Sequence, residues 1–149
     1  MPESKQVIAF PAKSELEASF PTIDCPIKPL GNRILVQIRL PKAKTKGGLI
    51  LTNDSSDDVL RQEQTAQVVK IGNGCFRFPS SGEQWPSGAW FEEGAYVRVP
   101  LHGGDNHWIA VPNGDGTNTN VLFKTFKDYE VIGLIEGDPL AVKTNMAYF

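Results

Sequence analysis

IKPLGNRILVQIRL, residues 27–40, is the stretch that decides the fold. Ile34, Val36 and Ile38 alternate with Leu35, Gln37 and Arg39. A two-residue period sends successive side chains to opposite faces, so the pattern predicts a strand with one strongly buried face. Pro29, Gly31 and Asn32 supply the turn that leads into it. Pro41 closes it, because proline has no N–H to donate to a ladder.

Similar runs follow downstream. TAQVVKI at 65–71 reads as the next strand, and GNG at 72–74 as a turn. GAYVRV at 94–99, WIAV at 108–111, VLFKTF at 121–126 and VIGLIE at 131–136 read as further strands. LHGGDNH at 101–107 and PNGDGTNTN at 112–120 read as turns between them. CFRFPSSGEQWPSGAW at 75–90, with Phe76, Phe78, Trp85 and Trp90, reads as an aromatic-rich hairpin or protruding loop. Short strands, polar turns and no long amphipathic helix predict an all-β fold. A small irregular antiparallel β-barrel is the natural closure, because it removes sheet edges.

Composition agrees. At 149 residues, 40% hydrophobic, the chain predicts one domain with a real core, and Gly 14 and Pro 11 favour many turns. A net charge of −2 lacks the basic footprint of a nucleic-acid binder. Cys25 and Cys75 stand far apart with no CxxC, which reads better as two free thiols in a reducing cytosol than as a disulfide. MPESKQVIAFPAKSELEASF has no apolar h-region, so it is not read as a signal peptide. No apolar run approaches the ~18 residues of a membrane span, and a cytoplasmic location is expected. Pro2, Pro11, Pro21 and Pro26 break up regular structure in residues 1–26, although Lys13–Ser19 can form a short helix. This N-terminal extension is expected to be disordered or to lie over the surface.

No constellation in the sequence persuades as catalytic, and no enzyme is predicted. HGGDNH brings His102, Asp105 and His107 near each other, but the spacing matches no standard metal site, and none is assigned. GNG and GDG do not lead from a strand into a helix, so they make no phosphate cradle. Asp54, Asp57, Asp58 and Glu63 sit in a polar run and read as solvated carboxylates. Trp85 and Trp90 could stack on bases, as in barrels that bind single strands. With Arg77 as the only basic neighbour, packing within the hairpin or against another subunit reads better.

One segment stands apart: GGLILTNDSS, residues 47–56, where Leu49, Ile50 and Leu51 lie between Gly47–Gly48 and a polar run. LILT is either a core strand that happens to follow two glycines or an exposed apolar patch that binds a partner. Taken in order, IKPLGNRILVQ, a lysine-rich stretch, GGLILT, a polar run and QVVKIGNG resemble the GroES co-chaperonins. FEEGAYVRV at 91–99 and FKDYEVIGLIE at 126–136 resemble that family's later segments more loosely.

The resemblance implies a GroES-like barrel over residues 27–136 that assembles into a seven-membered, dome-shaped ring. It places a mobile loop at 42–64 and a roof hairpin at 75–90, carrying Phe76, Phe78, Trp85 and Trp90. It also implies a function: capping a GroEL-type chaperonin so that a client protein folds in a closed chamber. Leu49, Ile50 and Leu51 would dock on the chaperonin's apical domain, with Gly47 and Gly48 as the hinge. No cofactor is implied, since ATP would be bound by the chaperonin. The extension at 1–26, the long roof segment, the expanded turns and a tail at 137–149 depart from bacterial members. Such elaboration fits a divergent or bacteriophage-encoded co-chaperonin working in a host cytoplasm. The competing reading is a stand-alone barrel that binds single-stranded nucleic acid or carbohydrate.

Overall fold

The computed structural model describes residues 13–41 and 53–143. Its elements run α1 (Lys13–Ser19), β1 (Arg33–Ile38), α2 (Asn53–Gln62), β2 (Thr65–Ile71), β3 (Tyr96–Arg98), β4 (Asp105–Pro112), β5 (Asn118–Lys127) and β6 (Gly133–Leu134). Single 3-10 turns at Asp128–Glu130 and Pro139–Ala141 follow β5 and β6. The six strands form one antiparallel sheet in the order β4-β5-β1-β2-β3-β6. It curls around an apolar interior, giving a small irregular β-barrel whose ends, β4 and β6, are not hydrogen-bonded to each other. This is the small irregular antiparallel barrel that the sequence predicts, and among the described residues β4 and β6 are the two ends of its sheet.

β1 lies at the centre, between β2 and β5. Its register places Val36 opposite Val68 on one side and Lys124 on the other, with a bulge in the β1–β2 ladder between Leu35 and Val36. Ile34, Val36 and Ile38 point into the barrel, where they meet Leu60, Ala66, Val68, Val97, Val99, Leu122 and Phe126. Strong burial was expected of this face and not of the opposite one. Instead Leu35 is fully buried there in a second cluster with Cys25, Val121 and Phe123, flanked by Ile23, Ile27, Ile109 and Val111.

Residues 20–27 create that second cluster. They cross the outside of the sheet as a strap with no ladder of their own. Phe20 packs on Tyr96 with ring centroids 5.1 Å apart. Gln37 Nε2 donates to the Pro21 carbonyl at 2.9 Å. Lys70 Nζ donates to the carbonyls of Cys25 at 2.7 Å and Ile27 at 3.1 Å. α1 forms where Lys13–Ser19 predicts it, and the Ser19 carbonyl accepts from Leu40 N at 2.9 Å. Cys25 and Cys75 are free thiols in separate clusters.

Three further expectations change. NDSSDDVLRQ, read as polar loop, is α2, because Val59 and Leu60 find burial that their polar neighbours do not advertise. Asp105–His107, read as turn, begins β4. VIGLIE contributes only Gly133 and Leu134 to the ladder, although Ile132 and Ile135 donate backbone bonds to Arg98 and Tyr96. The GNG turn stands and has a packing reason. A Cβ on Gly72 would sit 2.7 Å from the Arg33 carbonyl oxygen and closer still to that of Gly31, so only glycine fits there.

Candidate functional site

The triad Leu49, Ile50 and Leu51, the glycines Gly47 and Gly48, and the lysine-rich stretch before them lie outside the described residues. Their C-terminal flank is α2, which is built into the barrel. Arg61 in its last turn suits the helix dipole. Leu60 enters the core and Val59 is buried beside it. The Asp57 carboxylate accepts from Asn120 Nδ2 at 3.2 and 3.3 Å. The Arg61 guanidinium lies 5.3 Å from the Trp108 ring centroid, a cation–π distance, and also bonds Asp58 at 2.7 Å.

The end of α2 is held by buried polar groups. Lys124 Nζ, whose pKa is lowered by burial, donates to the Arg61 carbonyl at 3.4 Å. Glu63 was expected to be solvated but is 1% exposed. Its Oε1 accepts from Gln64 N at 2.7 Å and Thr65 N at 3.1 Å and lies 3.9 Å from Arg98 Nη1. Burial is tolerable because these donors replace water around the carboxylate.

The 75–90 segment is a compact hairpin. Arg77 bridges Gln84 in antiparallel fashion, Phe78 N donates to Glu83 O, and Trp85 N donates to Phe76 O. Phe76 and Phe91 are buried at its base, edge to face at 5.0 Å. Trp85 packs between Phe76, edge to face, and Trp90, tilted, with centroids 5.5 and 4.7 Å away. Phe78 and Trp90 are each 44% exposed. The four aromatics singled out in the sequence thus divide into a buried anchor, a half-buried linker and two exposed tips.

Asp128 is a residue that sequence reading missed. It is fully buried, and its Oδ2 accepts from Phe76 N at 2.7 Å while Oδ1 accepts from Tyr129 N at 2.8 Å. Phe76 adopts φ +62°, a left-handed conformation that costs a bulky residue roughly 1–3 kcal/mol. The carboxylate holds it there and fixes where the hairpin leaves the barrel. Beside it, burial and then the Asp128 charge push the Cys75 thiol up to about 11. An aspartate in the polar KDYE gave no sequence signal of this role.

The histidines do not converge. His107 Nε2 lies 2.7 Å from Thr125 Oγ1, and among the described residues no three His, Cys, Asp or Glu gather as a metal site. The clefts are shallow, such as one of about 350 Å³ bordered by Glu15, Arg39, Leu140 and Lys143. No described helix is long and apolar enough to cross a membrane.

Comparison with known proteins assigns the barrel. The family model of the chaperonin 10 Kd subunit matches residues 26–131, from the end of the strap to the approach to β6. The co-chaperonin GroES of Lactococcus lactis subsp. lactis (strain IL1403) is 38% identical over 48 residues, 32% of this chain and 47% of that protein. Those of L. lactis subsp. cremoris strains SK11 and MG1363 are 35% identical over the same length. The chain spans about half the length of these curated relatives. With most of its barrel matched by one family model, the chain belongs to the chaperonin 10 Kd subunit family, the GroES-type co-chaperonins.

Proposed function

We propose that this protein is a co-chaperonin lid: a ring of copies, seven by family resemblance, that caps a GroEL-type chaperonin and encloses a client protein. The observation that carries the reading is the continuous family match over residues 26–131, which spans the GGLILT segment. In this reading Lys42–Thr52 presents Leu49, Ile50 and Leu51 to an apolar groove on the chaperonin, with Gly47 and Gly48 as its hinge. ATP is bound and hydrolysed by the chaperonin, and this chain contributes no catalytic group or cofactor. The hairpin carrying Phe76, Phe78, Trp85 and Trp90 forms the roof. The lid works in the cytoplasm that holds its chaperonin.

Simple magnitudes suit a reversible lid. Burying one aliphatic side chain contributes about 1.5–3 kcal/mol, while ordering each loop residue costs about 1–2 kcal/mol. A single loop therefore binds weakly. Several loops on one ring raise avidity by orders of magnitude without new contacts, and weak single contacts let the lid leave. Ring assembly is supported by β6, which ends the sheet among the described strands and where Ile132 and Leu134 are 63% and 50% exposed.

The test is co-elution of the purified ring with a GroEL-type chaperonin in ATP or ADP. Ile50→Asp is expected to abolish co-elution while leaving the ring's mass unchanged. A capping Ile50→Asp ring would overturn the triad assignment, and a monomer that ignores the chaperonin would overturn the lid.

A further inference from the structure

We propose that α2 is a positioning strut for the triad, seated by Asn120 and Trp108. This rests on the lid reading and adds to it how the docking segment is presented. Leu51 stands two residues before Asn53, so no more than about 7 Å of chain separates them, whatever path it takes.

α2 is not held by its own propensity. Asn, Asp and Ser dominate its first six residues, and ten residues of such composition would not stay helical alone in water. Tertiary contacts hold it. Leu60 is in the core, Asp57 meets Asn120 on β5, Arg61 covers Trp108 on β4, and Lys124 on β5 reaches the last-turn carbonyl. Trp108, opposite Leu122 in the β4–β5 ladder, is 38% exposed with the Arg61 guanidinium over its ring. These partners come from two adjacent strands, so they fix α2 in position and in rotation.

A fixed exit point matters for docking. It removes conformations that an unanchored segment would lose on binding, and this lowers the entropic cost of each contact. In a ring it also gives every copy the same reach, which simultaneous engagement requires. Asn120 and Trp108 are positioning residues here, since neither needs to touch the chaperonin.

The experiment measures two quantities on the assembled ring: amide exchange across residues 57–62, and the Kd for an ADP-loaded GroEL-type chaperonin. Asn120→Asp sets two carboxylates against each other at the Asp57 contact. It should speed exchange in α2, leave exchange in β1 and β2 unchanged, and weaken binding about tenfold as small losses multiply over several loops. The reciprocal pair Asp57→Asn with Asn120→Asp restores an amide–carboxylate contact and should recover both quantities. Leu60→Ala, which removes the apolar anchor, should also speed exchange in α2 and weaken binding, with an added loss of core stability that Asn120→Asp does not carry. Faster α2 exchange with an unchanged Kd, or unchanged exchange in both weakening variants, overturns the strut. An unmodified ring that does not bind overturns the lid itself, and the exchange data still report how α2 is seated.

Discussion

The two faces of β1 are equally buried and differently made. Toward the barrel, Ile34, Val36 and Ile38 meet side chains of the neighbouring strands and α2, an interior that the family-matched region builds for itself. On the outside, Leu35, Gln37 and Arg39 are covered in part by segments beyond that region. Leu35 packs with Cys25, Gln37 bonds the Pro21 carbonyl, and the Arg39 guanidinium donates to the carbonyls of Val142 and Leu140 at 3.0 and 3.4 Å. Residues 20–25 precede the family match and residues 139–142 follow it. The extensions thus complete the covering of a face whose apolar side chains come largely from β1, β4 and β5. They also explain why polar residues on a central strand can be buried: their partners arrive from the two ends of the chain.

This comparison can be broken most directly at its largest side chains. Phe126 lies in the inner cluster and Phe123 in the outer, and both are fully buried. Phe126→Ala and Phe123→Ala should each lose about 3–5 kcal/mol in urea unfolding. A Phe123→Ala loss within the roughly ±0.5 kcal/mol of surface changes would mean that the outer cluster is only a loose covering.

A smaller effect is expected at the polar tie between strap and sheet. Lys70→Met leaves the Cys25 and Ile27 carbonyls without their donor and should cost about 1–3 kcal/mol. Cys25 is 1% exposed and should resist alkylation in the unmodified protein, then react faster in the variant. Unchanged Cys25 labelling would show that apolar contacts alone hold the strap.

The smallest effect belongs to the inner thiol. Cys75 titrates in the folded state at about 11, above its ordinary value of 9.0, because burial and then Asp128 disfavour the thiolate. A raised folded pKa stabilises the fold fully below the unfolded value. That contribution is lost as pH climbs from about 9 through 11. Cys75→Ala should therefore flatten the alkaline decline in melting temperature over that window, and an identical decline in both proteins would remove Cys75 as its source.

Where periodicity and turn chemistry act locally, the sequence was legible. β2 runs over TAQVVKI as read, α1 occupies Lys13–Ser19, and GNG makes its turn. The triad was legible only as a pattern with two readings, because burial of three aliphatics depends on what lies opposite them. α2 was not legible, since NDSSDDVLRQ carries weak helix formers and only two aliphatics. Asp128 was equally silent: a carboxylate in KDYE looks solvated until the Phe76 amide is placed against it.

By itself the sequence determined that the chain would form short antiparallel strands around one interior, with an aliphatic triad set between glycines and polar residues. Alternation and turn residues encode such features over a few positions. Tertiary structure alone decided that β1 would be buried on both sides, that a polar run would become a seated helix, and that one buried carboxylate would aim the hairpin. Each of those outcomes depends on groups distant in the chain meeting at contact distance, and no local pattern carries that information.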